Sequence, residues 1–258
     1  MNPAYAYVYD EVLSQPRHER FLGEIETEAQ RAGVEGRILR VGMFRDARES
    51  LKELKEVGVK NIIFVGSDQS LLNHIALLPS LEMTVGLIPM AKDSYLAAAF
   101  RLPIGVKAIQ AIAGRLIDCL DLGKIGERIF LTEVVIPDTD AAVEVNNEYR
   151  LSPRERGGIS IRNLSTRTGE IGCFSDPQDG VLEVVIQNRS KPKSLFGWKN
   201  EEVSETRLYL KEGVLVAKTA IDAFVDGQKI THTRFPFSVL PKAIRVITGR
   251  EGLVTRRG

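Results

Sequence analysis

The chain is short of the residues that build the commonest chemical sites. In 258 residues it has 2 cysteines, 3 histidines and 1 tryptophan. Cys119 and Cys173 are too few and too far apart for a disulfide framework or for metal-ligand spacing, so they are expected to be buried thiols in a reducing compartment. His18, His74 and His232 are scattered, which leaves a His-based metal centre little to work with; His74 is read as a helix-face residue. An excess of one charge sign is also missing. Lys plus Arg is 35 and Asp plus Glu is 34, a net charge of +1, which excludes a protein that holds nucleic acid by bulk electrostatics. Long apolar runs are absent as well. The longest weakly polar segment, Leu102 to Leu120, is broken by Lys107, Gln110, Arg115 and Asp118, well short of the roughly 18 apolar residues a membrane span needs. The opening residues MNPAYAYVYDEV carry neither the basic nor the apolar region of a secretory signal, so the expected location is the cytoplasm. What remains is an ordinary globular composition, 43% hydrophobic, long enough for one large domain or two smaller ones.

The chain divides by periodicity. Ala4–Tyr9, Arg37–Val41, Asn61–Val65 and Met83–Ile88 read as strands, and Asn61–Val65 is the continuous apolar run of a strand buried on both faces. Between them, Arg17–Ala32, Ala47–Val57 and Leu71–Leu78 carry helical spacing, with Gly33 and Gly58 as stops. This alternation predicts a doubly wound α/β domain over residues 1–116. Beyond it the pattern changes. Ile129–Ile136, Ala141–Val145, Ile159–Arg162, Val181–Ile186, Thr206–Leu210, Val214–Ala220, Ala223–Asp226 and Ala243–Ile247 read as strands. They are separated by turn signals such as Asp179-Gly180, Glu212-Gly213 and Asp226-Gly227. Residues 117–258 are therefore expected to form an all-β antiparallel sandwich domain, with the boundary between Gly114 and Asp121. Exposed sheet edges in that domain make a homodimer an expectation.

Ligands of an open parallel sheet sit beyond the carboxyl ends of its strands. Two exits are informative: Gly66-Ser67-Asp68-Gln69-Ser70, and Ile88-Pro89-Met90-Ala91-Lys92-Asp93-Ser94-Tyr95 followed by Leu102-Pro103. Three later segments accompany them: Asp121-Leu122-Gly123, Asp176-Pro177-Gln178-Asp179-Gly180-Val181-Leu182, and Val225-Asp226-Gly227-Gln228 with Leu240-Pro241-Lys242-Ala243-Ile244-Arg245-Val246. In order and spacing these resemble the signatures of the diacylglycerol kinase, sphingosine kinase and NAD kinase group, and most closely those of the bacterial lipid kinases. The resemblance spans nearly the whole chain. It implies ATP and Mg²⁺ as cofactors and phosphotransfer to a lipid or other hydroxyl acceptor. Nucleotide contacts then fall on Gly66, Ser67, Asp68, Gln69, Ser70, Ala91, Lys92 and Ser94. The catalytic positions become Asp68 and Gln228, and the metal-linked carboxylates Asp68 and Asp179.

The departures from the group's pattern bear on chemistry. Glycines that let backbone N–H groups approach phosphate are replaced by Ser67, Gln69, Ala91 and Asp93. Asp93, and Asp10-Glu11 after the first strand, add negative charge where phosphates would lie. The group's candidate general base is an amide here, Gln228, which cannot take up a proton at neutral pH. The alternative to an active kinase is therefore a catalytically inactive relative that binds a ligand or partner. Plainer roles also stand open. Asp68 suits a helix N-cap, Lys92 an exposed loop, Asp176, Asp179 and Gln228 ordinary turns, and Ser67 and Ser70 backbone caps.

The segment Arg189–Lys199 mixes four basic residues with Phe196 and Trp198, a combination suited to an anionic membrane surface. Combining Trp198→Ala with Lys193→Glu is expected to weaken cosedimentation with anionic vesicles; unchanged binding would remove the membrane expectation.

Overall fold

The computed structural model describes residues 4–10, 13, 15–40, 47–146, 148–153, 157–164, 175–189, 203–250 and 252–253. Cys173 and almost all of the basic–aromatic segment, residues 190–199, lie outside them. The chain forms two compact units. One holds Met1–Leu120, Thr166–Gly172 and Lys242–Gly258; the other holds Asp121–Ser165 and Cys173–Pro241.

The first unit runs β1 (Tyr5–Tyr9), α1 (Glu19–Arg31), β2 (Gly36–Arg40), α2 (Ala47–Glu56), β3 (Asn61–Gly66), α3 (Asp68–Leu72), α4 (Leu78–Leu81), β4 (Thr84–Pro89), α5 (Tyr95–Ala99) and α6 (Ala108–Gly114). The strands pair in parallel in the order β2-β1-β3-β4. Every residue of β3 and β4 is buried, as their nearly continuous apolar sequences require, with Asn61 and Thr84 the buried polar residues that open them. Helix α1 turns Leu22, Ile25 and Ala29 onto Tyr7, Ile63 and Ile88, and keeps its charged residues on the other side. The helix expected over Leu71–Leu78 is instead two short pieces, α3 and α4, with turns between. Residues 73–77 form the turns, and Pro79 sits in the opening turn of α4, where its missing N–H is not required.

The second unit is built of strands: the end of β5 (Leu116–Ile125), β6 (Arg128–Phe130), β7 (Glu133–Thr139), β8 (Ala142–Val145), β9 (Tyr149–Leu151), β10 (Gly157–Arg162), β11 (Leu182–Arg189), β12 (Val203–Leu210), β13 (Glu212–Val225) and the start of β14 (Gln228–Thr248). Its pairings are antiparallel, along the path β12-β11-β10-β7-β13-β14, with β8 on β13 and β9 on β8. Phe130, Ile136, Ile161, Val184, Leu215 and Phe235 belong to its apolar core. The α/β-then-β order read from the sequence is the observed one. The two strands expected over 214–226 are a single strand, β13, whose pairing with β14 shifts register between Val216 and Ile221. The last residues of β14 belong to the first unit, where Arg245 and Val246 pair in parallel with Thr84 and Val85 of β4. Cys119, expected to be buried, is exposed on β5 because it falls on the strand's outward-facing half. Among the described residues no helix is long and apolar enough to cross a membrane.

One carboxylate organises the second unit. Asp226 and Gly227 close the β13–β14 hairpin with φ of 46° and 83°, the left-handed pair of a type I′ turn. The Asp226 side chain, 8% exposed, then accepts from the Leu131 amide at 2.8 Å, the Thr132 amide at 2.9 Å, the Thr132 hydroxyl at 2.5 Å and the Glu133 amide at 3.2 Å. Burial pushes its pKa up, and these donors pull the other way. Asp226→Ala strands those buried donors, each worth about 1–3 kcal/mol when left unpaired. It is expected to lower unfolding stability by about 3 kcal/mol or more in urea titration; a loss under about 1 kcal/mol would contradict the clamp.

Candidate functional site

Parallel pairing places the carboxyl ends of β1, β3 and β4 side by side, through Tyr9 opposite Val65 and Gly66 opposite Pro89. The chain leaving each strand is pinned to its neighbour. The Asp10 amide donates to the Val65 carbonyl at 3.1 Å, and the Met90 amide donates to the Gly66 carbonyl at 3.0 Å. Gly66 adopts φ of 146°, and a Cβ there would lie 2.6 Å from Ser70 Oγ and 2.8 Å from Asp10 Cβ. Only glycine lets the β1 and β3 exits approach this closely.

The first exit is held from within. Ser67 occupies the N-cap of α3, but its hydroxyl makes no capping bond. It donates to Asp10 Oδ2 at 3.2 Å, and Ser70 Oγ donates to the same oxygen at 2.7 Å. The capping role weighed for Ser67 and Ser70 thus gives way to a shared carboxylate. Gln69, the residue between, is exposed. His74 sits just beyond. Its ring stacks on Phe64 at 5.4 Å, and Nδ1 lies 2.9 Å from the Ser70 carbonyl oxygen, so it sits in the turn that follows α3 and not on the helix face expected for it.

Asp68 does not cap its own helix. Its carboxylate crosses to the β4 exit, accepting the Ser94 hydroxyl at 2.5 Å and the Tyr95 amide at 2.9 Å, with a longer contact from the Leu96 amide at 3.5 Å. Ser94 in turn caps α5 by accepting from the Ala97 amide at 3.0 Å. Asp68 therefore supplies an acceptor for the open N–H groups of a helix in the other loop. It is 8% exposed; burial raises its pKa, opposed by these donors. Ala91, Lys92 and Asp93 form the exposed turn before Ser94, closed by the Ser94 amide on the Ala91 carbonyl at 3.2 Å.

Of the residues singled out in the sequence, Gly66, Ser67, Asp68, Ser70 and Ser94 thus meet at adjoining exits, with Ala91 and Lys92 on the next turn. Asp179 and Gln228 belong to the second unit. Asp179 accepts from the Val181 amide at 3.0 Å and Asp176 from the Gln178 amide at 3.0 Å, each closing a tight turn. Burial raises the Asp179 pKa, and the charges of Asp176 and Asp121 add to that. Gln228 is exposed at the start of β14, opposite Val225. Asp10 was noted in the sequence only as an unwelcome charge. The one signal that would have found it is the parallel order, which sets the β1 exit against the β3 exit.

The donor set can be tested against the nucleotide and Mg²⁺ that the resemblance implies. Two serine hydroxyls and an exposed lysine suit phosphate oxygens, whereas Asp10 and Asp93 oppose a bare phosphate. Among the described residues no group of three His, Cys, Asp or Glu could hold a metal ion by itself. Mg²⁺ rarely needs such a cage, since it is usually bound by one or two carboxylates together with substrate phosphates. A carboxylate beside two hydroxyls fits a metal-bound phosphate and disfavours a bare one.

A parallel α/β unit with hydrogen-bonded loops at its strand exits, together with an antiparallel β unit, defines the class. Its fold is that of the diacylglycerol kinase-like proteins. The crystal structure of a diacylglycerol kinase from Bacillus anthracis str. Sterne is similar at a TM-score of 0.76 and 15% identity, covering 97% of this chain and 98% of that one. Two candidate diacylglycerol kinases of the same organism give TM-scores of 0.76 and 0.75 at 14% identity, each over 97% of this chain and 98% and 99% of their own. No protein-family model and no curated protein sequence matches the chain.

Removing the crossing carboxylate leaves the Ser94 hydroxyl and the Tyr95 amide unpaired. Asp68→Ala is expected to cost about 2 kcal/mol and to raise hydrogen exchange at Tyr95 and Leu96 well above that of the β3 amides. Unchanged protection at those two amides would show that the β4 exit holds its shape alone.

Proposed function

We propose that this chain is a lipid kinase-type phosphotransferase, passing a phosphoryl group from ATP to a hydroxyl of a lipid or other small acceptor. The observation that carries the reading is the link from Asp68 to Ser94 and Tyr95, which keeps the β3 and β4 exits in one arrangement although only Gly66 of their glycines remains. Near full-length likeness to a diacylglycerol kinase fold supports the same class. In this reading Ser67, Ser70 and Lys92 bind phosphate oxygens. Asp68 orients the second loop, and Asp93 sets a charge that favours metal-bound over bare phosphate. Bound ATP with Mg²⁺ supplies the phosphoryl group and the counter-charge; phosphotransfer depends mainly on such positioning and neutralisation, so it tolerates the lack of a strong base.

A second reading, ligand binding without turnover, is favoured by one feature. Gln228 is an exposed amide on a hairpin where the related kinases place an acid. Calorimetric titration with ATP and Mg²⁺, with ADP and NAD in parallel, followed by a lipid-acceptor screen, separates the two. Saturable ATP binding with transfer supports the kinase; binding without transfer supports the second reading; no heat with any nucleotide removes both nucleotide-based readings. Gln228→Glu is expected to raise the transfer rate by about 10²-fold or more, the usual worth of a positioned base. An unchanged rate would show that position 228 lies outside the chemistry.

A further inference from the structure

The strand exits of the first unit carry two inward-turned carboxylates, and their hydrogen bonding gives them different capacities. Asp68 is closed. Oδ1 takes the Ser94 hydroxyl at 2.5 Å, Oδ2 takes the Tyr95 amide at 2.9 Å, and the side chain is 8% exposed. With the Leu96 amide at 3.5 Å these donors fill most of its acceptor sites, so a cation there would compete with the bonds that hold the start of α5. Asp10 is open. Both of its partners, Ser67 Oγ at 3.2 Å and Ser70 Oγ at 2.7 Å, fall on Oδ2, and Oδ1 accepts nothing among the described residues. The residue is only half-buried, so water and ions reach it. Its partners are hydroxyls, which rotate and can turn from the carboxylate to a phosphate oxygen without disturbing the backbone. Gly66, against which no side chain would fit, keeps Asp10 close to both serines.

We infer that Asp10, rather than Asp68, is the carboxylate that holds the metal ion bound with a nucleoside triphosphate, and that Asp68 is a positioning residue for the second loop. The inference rests on the kinase-type reading of this cleft and assigns its ion-binding residue. It reverses the meaning of the acidic β1 exit. A carboxylate that repels bare phosphate becomes the element that makes nucleotide binding depend on metal, because hard divalent ions seek oxygen ligands and Mg²⁺ takes one or two from protein when phosphates supply more. The two serine hydroxyls then stand between carboxylate and phosphate, able to serve either.

The test is calorimetric titration of the full chain with ATP, in Mg²⁺ and in EDTA, for the wild type, Asp10→Asn and Asp68→Asn. Melting curves serve as folding controls, and the electron-spin signal of Mn²⁺ added with ATP gives a readout independent of turnover. The wild type is expected to bind ATP about tenfold more tightly with Mg²⁺ than without, within the usual range for coupled ligands. Asp10→Asn, which keeps the shape and an acceptor oxygen, should lose that preference: weaker with metal, stronger in EDTA, and without the bound Mn²⁺ signal. Asp68→Asn should weaken both titrations by a similar factor and keep their ratio. If Asp10→Asn retains the wild-type ratio, or Asp68→Asn abolishes it, the assignment is overturned while the nucleotide site stands. If the wild type binds no nucleotide in either condition, the underlying reading fails and the assignment falls with it.

Discussion

The carboxylate of Asp68, buried between two loops, decides where the chain goes as it leaves β4. It accepts the Ser94 hydroxyl and the Tyr95 amide, and Ser94 accepts the Ala97 amide, so one side chain from the β3 exit anchors the first turn of a helix in the neighbouring exit. A buried charge survives only with partners, and the amides of a helix start are partners that the helix itself cannot satisfy. The two needs meet in one contact. Without it the β4 exit would be tied to the β3 exit only by the Met90 amide on the Gly66 carbonyl, and the exposed Lys92 would be less firmly placed against the β3 loop.

A similar solution recurs in the second unit. Asp226 gathers the amides of Leu131, Thr132 and Glu133, and Asp121 accepts the Gly180 amide at 2.7 Å. Asn163 bridges the carbonyls of Asp121 and Leu131, each at 2.8 Å. All five segments that carried the family resemblance therefore take part in hydrogen-bonded clamps between loops. These polar residues secure turns, whereas the strands between them are held by apolar packing.

Much of this architecture was legible in the sequence because its signals are local. The continuous apolar runs of β3 and β4, the helical spacing of Leu22, Ile25 and Ala29, and the Asp226-Gly227 turn each report on a few neighbouring residues. What was not legible depends on pairing between distant segments. Ala243–Ile247 reads as a strand, but nothing in its side chains says that Arg245 and Val246 pair with Thr84 and Val85 rather than with the β-rich half. The site shows the same division. Gly66 to Ser70 and Ser94 were singled out through the family resemblance. The direction of Asp68, away from its own helix, and the involvement of Asp10, which is 57 residues from Ser67 and 60 from Ser70, required the parallel register to be seen.

The account claims that the exits of β1, β3 and β4 form one ligand site. The most direct test is to follow the backbone amides by NMR while ATP and Mg²⁺ are added together. The prediction is that Asp10, Gly66 to Ser70 and Met90 to Leu96 shift together along a single saturation curve. Shifts confined to one exit, or centred elsewhere in the chain, would contradict it.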